Sequence, residues 1–224
     1  MSGTETLRRL SIKDIWINAW GELAFRYHTL SVVIGACIIA FIVPDFFIYI
    51  DSRTGTLLND PIIHLIPAQD VSAYTFLTLN SAILLATIYL IPYPKALIKC
   101  LQAYCLVTLM RFSAILLFPL EPPIGIIPLV DPFIAYFFAD GKPVFKDLFF
   151  SGHTCTMYLL FMTAQKPWLK RLLLAGTILM GILVVVQHVH YTIDVLGAPF
   201  FVWLSYRLVE RVNSLSDAPD QISG

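Results

Sequence analysis

Charge is what this sequence has least of. Asp, Glu, Lys and Arg together make up 13% of its 224 residues, where soluble domains carry nearer about a quarter. So little charge argues against an ordinary water-soluble domain. The formal net charge is zero, so composition gives no support for a nucleic-acid partner, although local charge still matters at an anionic lipid surface. Cysteine is scarce too. Cys37, Cys100, Cys105 and Cys155 stand in apolar stretches, and no paired spacing suggests a disulfide framework or a zinc site. They read as small hydrophobic residues. The first 28 residues are mixed and polar, without the apolar core and small-residue cleavage site of a signal peptide. The first spanning segment is therefore expected to act as its own insertion signal. No internal repeat or low-complexity tract is present.

What is abundant is apolar. Hydrophobic residues reach 58% and the mean hydropathy is +0.76, which points to the bilayer as solvent. A helix needs about 20 mostly apolar residues to cross the hydrocarbon core. Six segments qualify, approximately 29–49, 72–92, 97–119, 149–165, 171–189 and 191–210. The expected fold is an all-α integral membrane protein, a bundle of six transmembrane helices. Residues 1–28 carry Leu7, Leu10, Ile12, Ile15, Trp16 and Trp20 among charges and read as an amphipathic interfacial segment, with a frayed polar tail as the plainer alternative. Residues 29–210 form the six-span domain, and 211–224 a cytoplasmic tail that reads as disordered after Val212. Segment 121–148 holds Pro122, Pro123, Pro128 and Pro132, which argue against a continuous helix. It is expected to lie on the membrane surface and cap what sits beneath.

Lysine and arginine set the orientation. With the N-terminus inside, the inner segments hold Arg8, Arg9, Lys13, Arg26, Lys95, Lys99, Lys166, Lys170, Arg171, Arg207 and Arg211. The outer segments hold only Arg53, Lys142 and Lys146. Both termini are therefore expected in the cytoplasm.

Ionisable groups within spans are costly and usually functional or paired. Here they are Asp45, Arg111, His153, His188, His190 and Asp194, and the topology puts all six near the exoplasmic surface, where they are expected to form one site. His190 and Asp194 are four apart, hence on one helix face. A carboxylate beside an imidazole fixes its tautomer and raises its basicity, as a nucleophile or base requires. Alternatively, Asp194 merely sits in the first turn of the sixth span, where the helix dipole favours it. Ser151-Gly152-His153-Thr154 opens the fourth span. Gly152 permits close approach to the backbone, the helix start offers N–H groups to an anion, and His153 is placed to donate a proton to a departing oxygen. An ordinary N-cap by Ser151 is the competing reading. Arg111 offers phosphate a planar fork of donors, or forms a structural ion pair with Asp45 or Asp147. His188, two before His190, is expected in a supporting or interfacial role.

These residues carry a resemblance. Asp147-Leu-Phe-Phe-Ser151-Gly152-His153-Thr154, followed by His188-Val-His190-Tyr191-Thr192-Ile193-Asp194-Val195, resembles the sphingomyelin synthase family, within the wider type 2 phosphatidic acid phosphatase superfamily. Pro44-Asp45, and Arg111 with Pro119, Pro122 and Pro123, resemble two further motifs of that family. The resemblance implies that His190 is the nucleophile taking the phospho-headgroup and Asp194 its orienting carboxylate. It implies that His153 protonates the departing diacylglycerol and then deprotonates the acceptor. It implies phosphate contact by Arg111, Ser151 and Gly152, with Asp147, His188, Tyr191 and Asp45 supporting, and neither metal nor cofactor. The partners implied are a membrane phospholipid donor and a lipid alcohol acceptor such as ceramide. Leu204 stands where an arginine is usual, with Arg207 three further on, so the headgroup stays open. The alternative is a lipid phosphate phosphatase or phospholipase C-like hydrolase, with water as acceptor. Against a phosphatase proper, Arg111 is followed by Phe112, and Tyr104 stands where that pattern has lysine. A non-catalytic lipid-binding or transport protein is the third possibility.

Overall fold

The computed structural model describes residues 11–129 and 144–216. Seven α-helices form among them: α1 (Ile12–Gly21), α2 (Leu23–Ser52), α3 (Ser72–Leu90), α4 (Pro94–Leu117), α5 (Gly152–Thr163), α6 (Pro167–Val186) and α7 (Thr192–Ser216). A 3-10 turn spans Ile63–Leu65. No strand occurs among the described residues, only an isolated bridge between Thr56 and Leu120.

Helices α2, α3, α4, α6 and α7 are long and apolar enough to cross a membrane. Local chemistry sets their limits. Pro94 and Pro167 open α4 and α6 at positions where the missing N–H is not needed. Pro44 and Pro199 lie inside α2 and α7 without ending them, as membrane helices tolerate. The fourth expected span behaves differently. Segment 149–165 yields only α5, twelve residues from Gly152 to Thr163, about 18 Å of helix against a hydrocarbon core of about 30 Å. Phe149 and Phe150 have positive φ, 71° and 40°, and cannot extend the helix backwards. At the other end, extended Ala164 precedes Lys166-Pro167.

A short helix survives here because protein surrounds it. Helix α5 packs against α3, α4, α6 and α7. Its Met157, Leu159 and Leu160 are buried with Leu79 and Ala86 of α3, Ala103 and Val107 of α4, Met180 and Val184 of α6, and Ala198 and Val202 of α7. Small residues permit the close contacts, as in membrane bundles generally. Gly176 faces Met157, and Gly181 faces Val195, so tightly that a Cβ on either glycine would lie 2.7 Å from the neighbour.

Both ends depart from expectation. Of the amphipathic segment 1–28, residues 12–21 form α1, started by a capping box between Ser11 and Asp14 and tied down by Trp16, whose indole N–H donates to the Ile91 carbonyl at 2.9 Å. Residues 23–28 instead join α2 after a break at extended Glu22. Residues 1–10 lie outside the described residues. Helix α7 runs through Ser216 rather than fraying after Val212, because Asn213 reaches α4 and donates to Gln102 at 2.8 Å. Residues 217–224 lie outside the described residues. So does 130–143, the middle of the expected cap; the flanking 118–129 and 144–151 are non-helical.

Candidate active site

Four elements meet at one end of the bundle: the last turns of α4, the strained turn before α5, the α6–α7 junction, and the α2–α3 connection. Helix α7 starts at Thr192, so Asp194 is its third residue. From there the carboxylate reaches back along the chain. Its Oδ2 accepts the backbone N–H of Tyr191 at 3.1 Å and lies 3.3 Å from His190 Nδ1. A carboxylate only accepts, so this pairing assigns the ring proton to Nδ1 and leaves the Nε2 lone pair free. Both side chains are nearly inaccessible, 5% for His190 and 0% for Asp194. The two placements read from the sequence, a carboxylate in the first turn of the helix and a carboxylate beside the imidazole, thus coincide in Asp194. Its Oδ1 is buried without a hydrogen bond among the described residues.

The His153 ring packs edge-on to His190, centroids 6.4 Å apart, and makes no hydrogen bond among the described residues. Ser151 caps α5, its hydroxyl accepting the Thr154 N–H at 3.3 Å. Its own N–H donates to the Asp194 carbonyl at 3.0 Å, which fastens the start of α5 to the start of α7. The Gly152 and His153 N–H groups have no acceptor among the described residues, leaving the α5 N-terminus able to receive an anion.

Arg111 closes the other side. Its Nε donates to the Phe150 carbonyl at 3.0 Å, and one terminal nitrogen sits 2.5 Å from Asp147 Oδ2. The ion pair with Asp147 therefore exists, and so does proximity to the α5 N-terminus. The guanidinium lies flat against Gly152, where a Cβ would meet Cζ at 3.0 Å. Nη1 donates to nothing among the described residues. Phe150 presents its carbonyl to Arg111 from a backbone with φ 40°, a conformation that costs a bulky residue about 1–3 kcal/mol. The stacking of Phe150 on Phe201, centroids 4.1 Å apart, helps hold it. One prediction arises here. Gly152→Ala displaces a guanidinium that Phe150 and Asp147 prevent from retreating, and turnover falls roughly 10- to 100-fold with the melting temperature little changed. Wild-type turnover in this variant would show that the Arg111 position is irrelevant.

Not every expected residue joins. Asp45 is exposed on α2 and has no hydrogen bond or ion pair among the described residues, because α2 turns the neighbouring Phe46 inward to stack on Phe112 at 4.4 Å. The expected convergence of six groups therefore loses this one. His188 belongs to a brace rather than to the His190 pair. It has φ 57°, and its Nδ1 and Nε2 lie 3.1 Å and 2.9 Å from the Ile124 and Ile66 carbonyls. Tyr191 extends the brace. Its hydroxyl donates to the Glu121 carbonyl at 2.8 Å and accepts the Leu58 N–H at 3.3 Å.

Asp60 escapes a sequence reading altogether. Its Oδ2 accepts the Thr192 N–H at 2.6 Å, across 132 positions. Asp-Pro before an apolar turn signals a local cap; nothing in the sequence says that it also caps a distant helix. Burial pushes this carboxyl up, but hydrogen bonds from Thr192, Ile62 and Ile63 outweigh it and hold the pKa below its ordinary value. No cluster of three or more His, Cys, Asp or Glu able to hold a metal occurs among the described residues.

No curated protein matches the chain. Residues 146–211 match the family model described as PAP2 superfamily C-terminal. The match covers less than half of the chain and runs from the turn before α5 nearly to the end of α7, so it includes His153, His190 and Asp194 but not Arg111. Over these residues the chain is similar to that superfamily's C-terminal model.

Proposed function

We propose that the protein moves a phospho-headgroup from a glycerophospholipid to a lipid alcohol such as ceramide, through a phosphohistidine intermediate on the exoplasmic side of the membrane, with both termini in the cytoplasm. The observation that carries this reading is the buried His190–Asp194 pair facing the unbonded His153 ring. Asp194 keeps the His190 proton on Nδ1, so Nε2 attacks the phosphorus of the donor. The bond to the diacylglycerol oxygen breaks, and His153, which takes up a proton from water once the anionic donor phosphate lies beside it, gives that proton to the oxygen. The headgroup phosphate is then bound to His190 Nε2. His153, now neutral, takes the proton of the acceptor hydroxyl, whose oxygen attacks phosphorus and releases His190. Arg111 and the α5 N-terminus stabilise the non-bridging oxygens as charge grows on them.

Choice of a lipid acceptor is supported by what borders the site. Phe118 and Phe149 pack with centroids 5.0 Å apart, and Phe149 continues through Phe201 and Phe200 to Trp203. Phe118, Phe200 and Trp203 are exposed, giving an apolar approach from the bilayer.

The test uses the purified full chain with labelled phosphatidylcholine or phosphatidylethanolamine, with and without ceramide, and resolves the lipid products. Label on ceramide, with diacylglycerol formed in step, is the expected result. Diacylglycerol with the headgroup phosphate released to water establishes hydrolysis instead. No turnover of any donor overturns the enzymatic reading.

A further inference from the structure

The groups that set Asp194 against His190 are not all in the segment that carries them. A helix start leaves its first N–H groups without partners, and a small polar cap residue normally satisfies one. At the start of α7 the cap position falls to Tyr191, whose only side-chain oxygen is engaged by Glu121 and Leu58. Asp194 makes half of a capping box by accepting the Tyr191 N–H. A different orphan donor of this helix start, the Thr192 N–H, is taken by Asp60. One carboxylate oxygen takes the Thr192 N–H at 2.6 Å, and the other lies 3.2 Å from the Thr192 hydroxyl. That second oxygen also accepts the N–H groups of Ile62 and Ile63 at 3.0 and 3.4 Å, so the carboxylate is itself held by the 3-10 turn that follows it.

The geometry points to Asp60 as a positioning residue for the reaction: acting through Thr192, it fixes the first turn of α7 so that one oxygen of Asp194 meets both the Tyr191 N–H and His190. This rests on the reading of His190 as nucleophile. Thr192 lies two residues from His190 and two from Asp194, so a rotation of this turn moves both. The adjoining cavity of about 350 Å³ is lined by Asp60, His64, His188 and Tyr191. Every one of these polar side chains already has a partner, His64 with Asn59 at 3.2 Å. The wall is therefore built as a brace rather than as a ligand site. Hydrogen bonding keeps the Asp60 carboxyl below its ordinary pKa, so the cap remains an anion at a helix N-terminus, where the dipole favours it.

The experiment compares the wild-type full chain with Asp60→Asn in nanodiscs, by kinetics and by NMR of ¹⁵N-histidine. The chain has five histidines, and His190→Ala assigns the relevant signal. The amide has one accepting oxygen where the carboxylate serves four donors. The expected result is a displaced His190 Nδ1 signal and a kcat lower by roughly 10- to 100-fold with KM unchanged. A His190 signal and kcat identical to wild type overturn the proposal. If Asp60→Asn does not fold, Thr192→Val removes the hydroxyl contact alone; a smaller displacement supports the proposal, and none overturns it. A wild type that turns over no lipid, but whose His190 signal moves in Asp60→Asn, overturns the transferase reading and supports the positioning role.

Discussion

Asp194→Asn is expected to lower turnover by about 10³- to 10⁴-fold while the protein stays folded, the size of loss seen when a histidine-orienting carboxylate becomes an amide. The reason is proton bookkeeping. In the native site Oδ2 serves two donors, the Tyr191 N–H and His190 Nδ1. An asparagine that keeps its oxygen there must bury its NH₂ where Oδ1 now lies, without a partner among the described residues. The flipped amide would donate to His190 Nδ1, drive the ring proton to Nε2 and remove the attacking lone pair. The flip gives the buried NH₂ the imidazole as acceptor and is the expected state; the Tyr191 N–H it leaves unpaired costs about 1–3 kcal/mol, within a total stability of about 5–15 kcal/mol, so the chain still folds. Turnover per folded molecule and the melting temperature, measured together, check this. Undiminished turnover would remove Asp194, and with it the nucleophile assignment, from the mechanism.

Arg111→Lys is expected to lower kcat/KM by about 100-fold, the scale for losing one preorganised donor to a developing charge. An ammonium can still pair with Asp147, but it lacks the planar fork that bonds Phe150 and Asp147 while lying against Gly152. Asp147→Asn separates the two roles of the arginine. If Arg111 serves the phosphate, Asp147→Asn retains most activity because the guanidinium remains. If the ion pair only supports the fold, Asp147→Asn is as harmful as Arg111→Lys and lowers the melting temperature equally.

Sequence legibility followed distance along the chain. The His190–Asp194 contact was readable from a spacing of four, although His190 lies two residues before α7 and the carboxylate reaches back to it from the first turn rather than along one helix face. The grouping of Arg111, His153 and His190 at one end of the bundle followed from hydropathy and span count, which order residues by depth. Depth does not specify azimuth. Asp45 has a suitable depth but lies on the outward side of α2, since Phe46 and Ile50 take the inward face. In 149–165 the apolar run is longer than the helix it forms, because apolar composition does not distinguish a lipid-facing helix from a short one enclosed by four neighbours.

By itself, then, the sequence located five helices long and apolar enough to cross a membrane, the closeness of His190 to Asp194 and the helix start that precedes His153. These rest on local periodicity and composition, which act within a few turns of chain. Tertiary structure alone decided that Arg111 lies on Gly152, that His188 and Tyr191 brace loops rather than pair with His190, and that Asp60 caps the helix carrying Asp194. Each of these is a contact between distant segments, and hydrogen-bond donors left over at one helix start carry no mark of which loop will supply the acceptor.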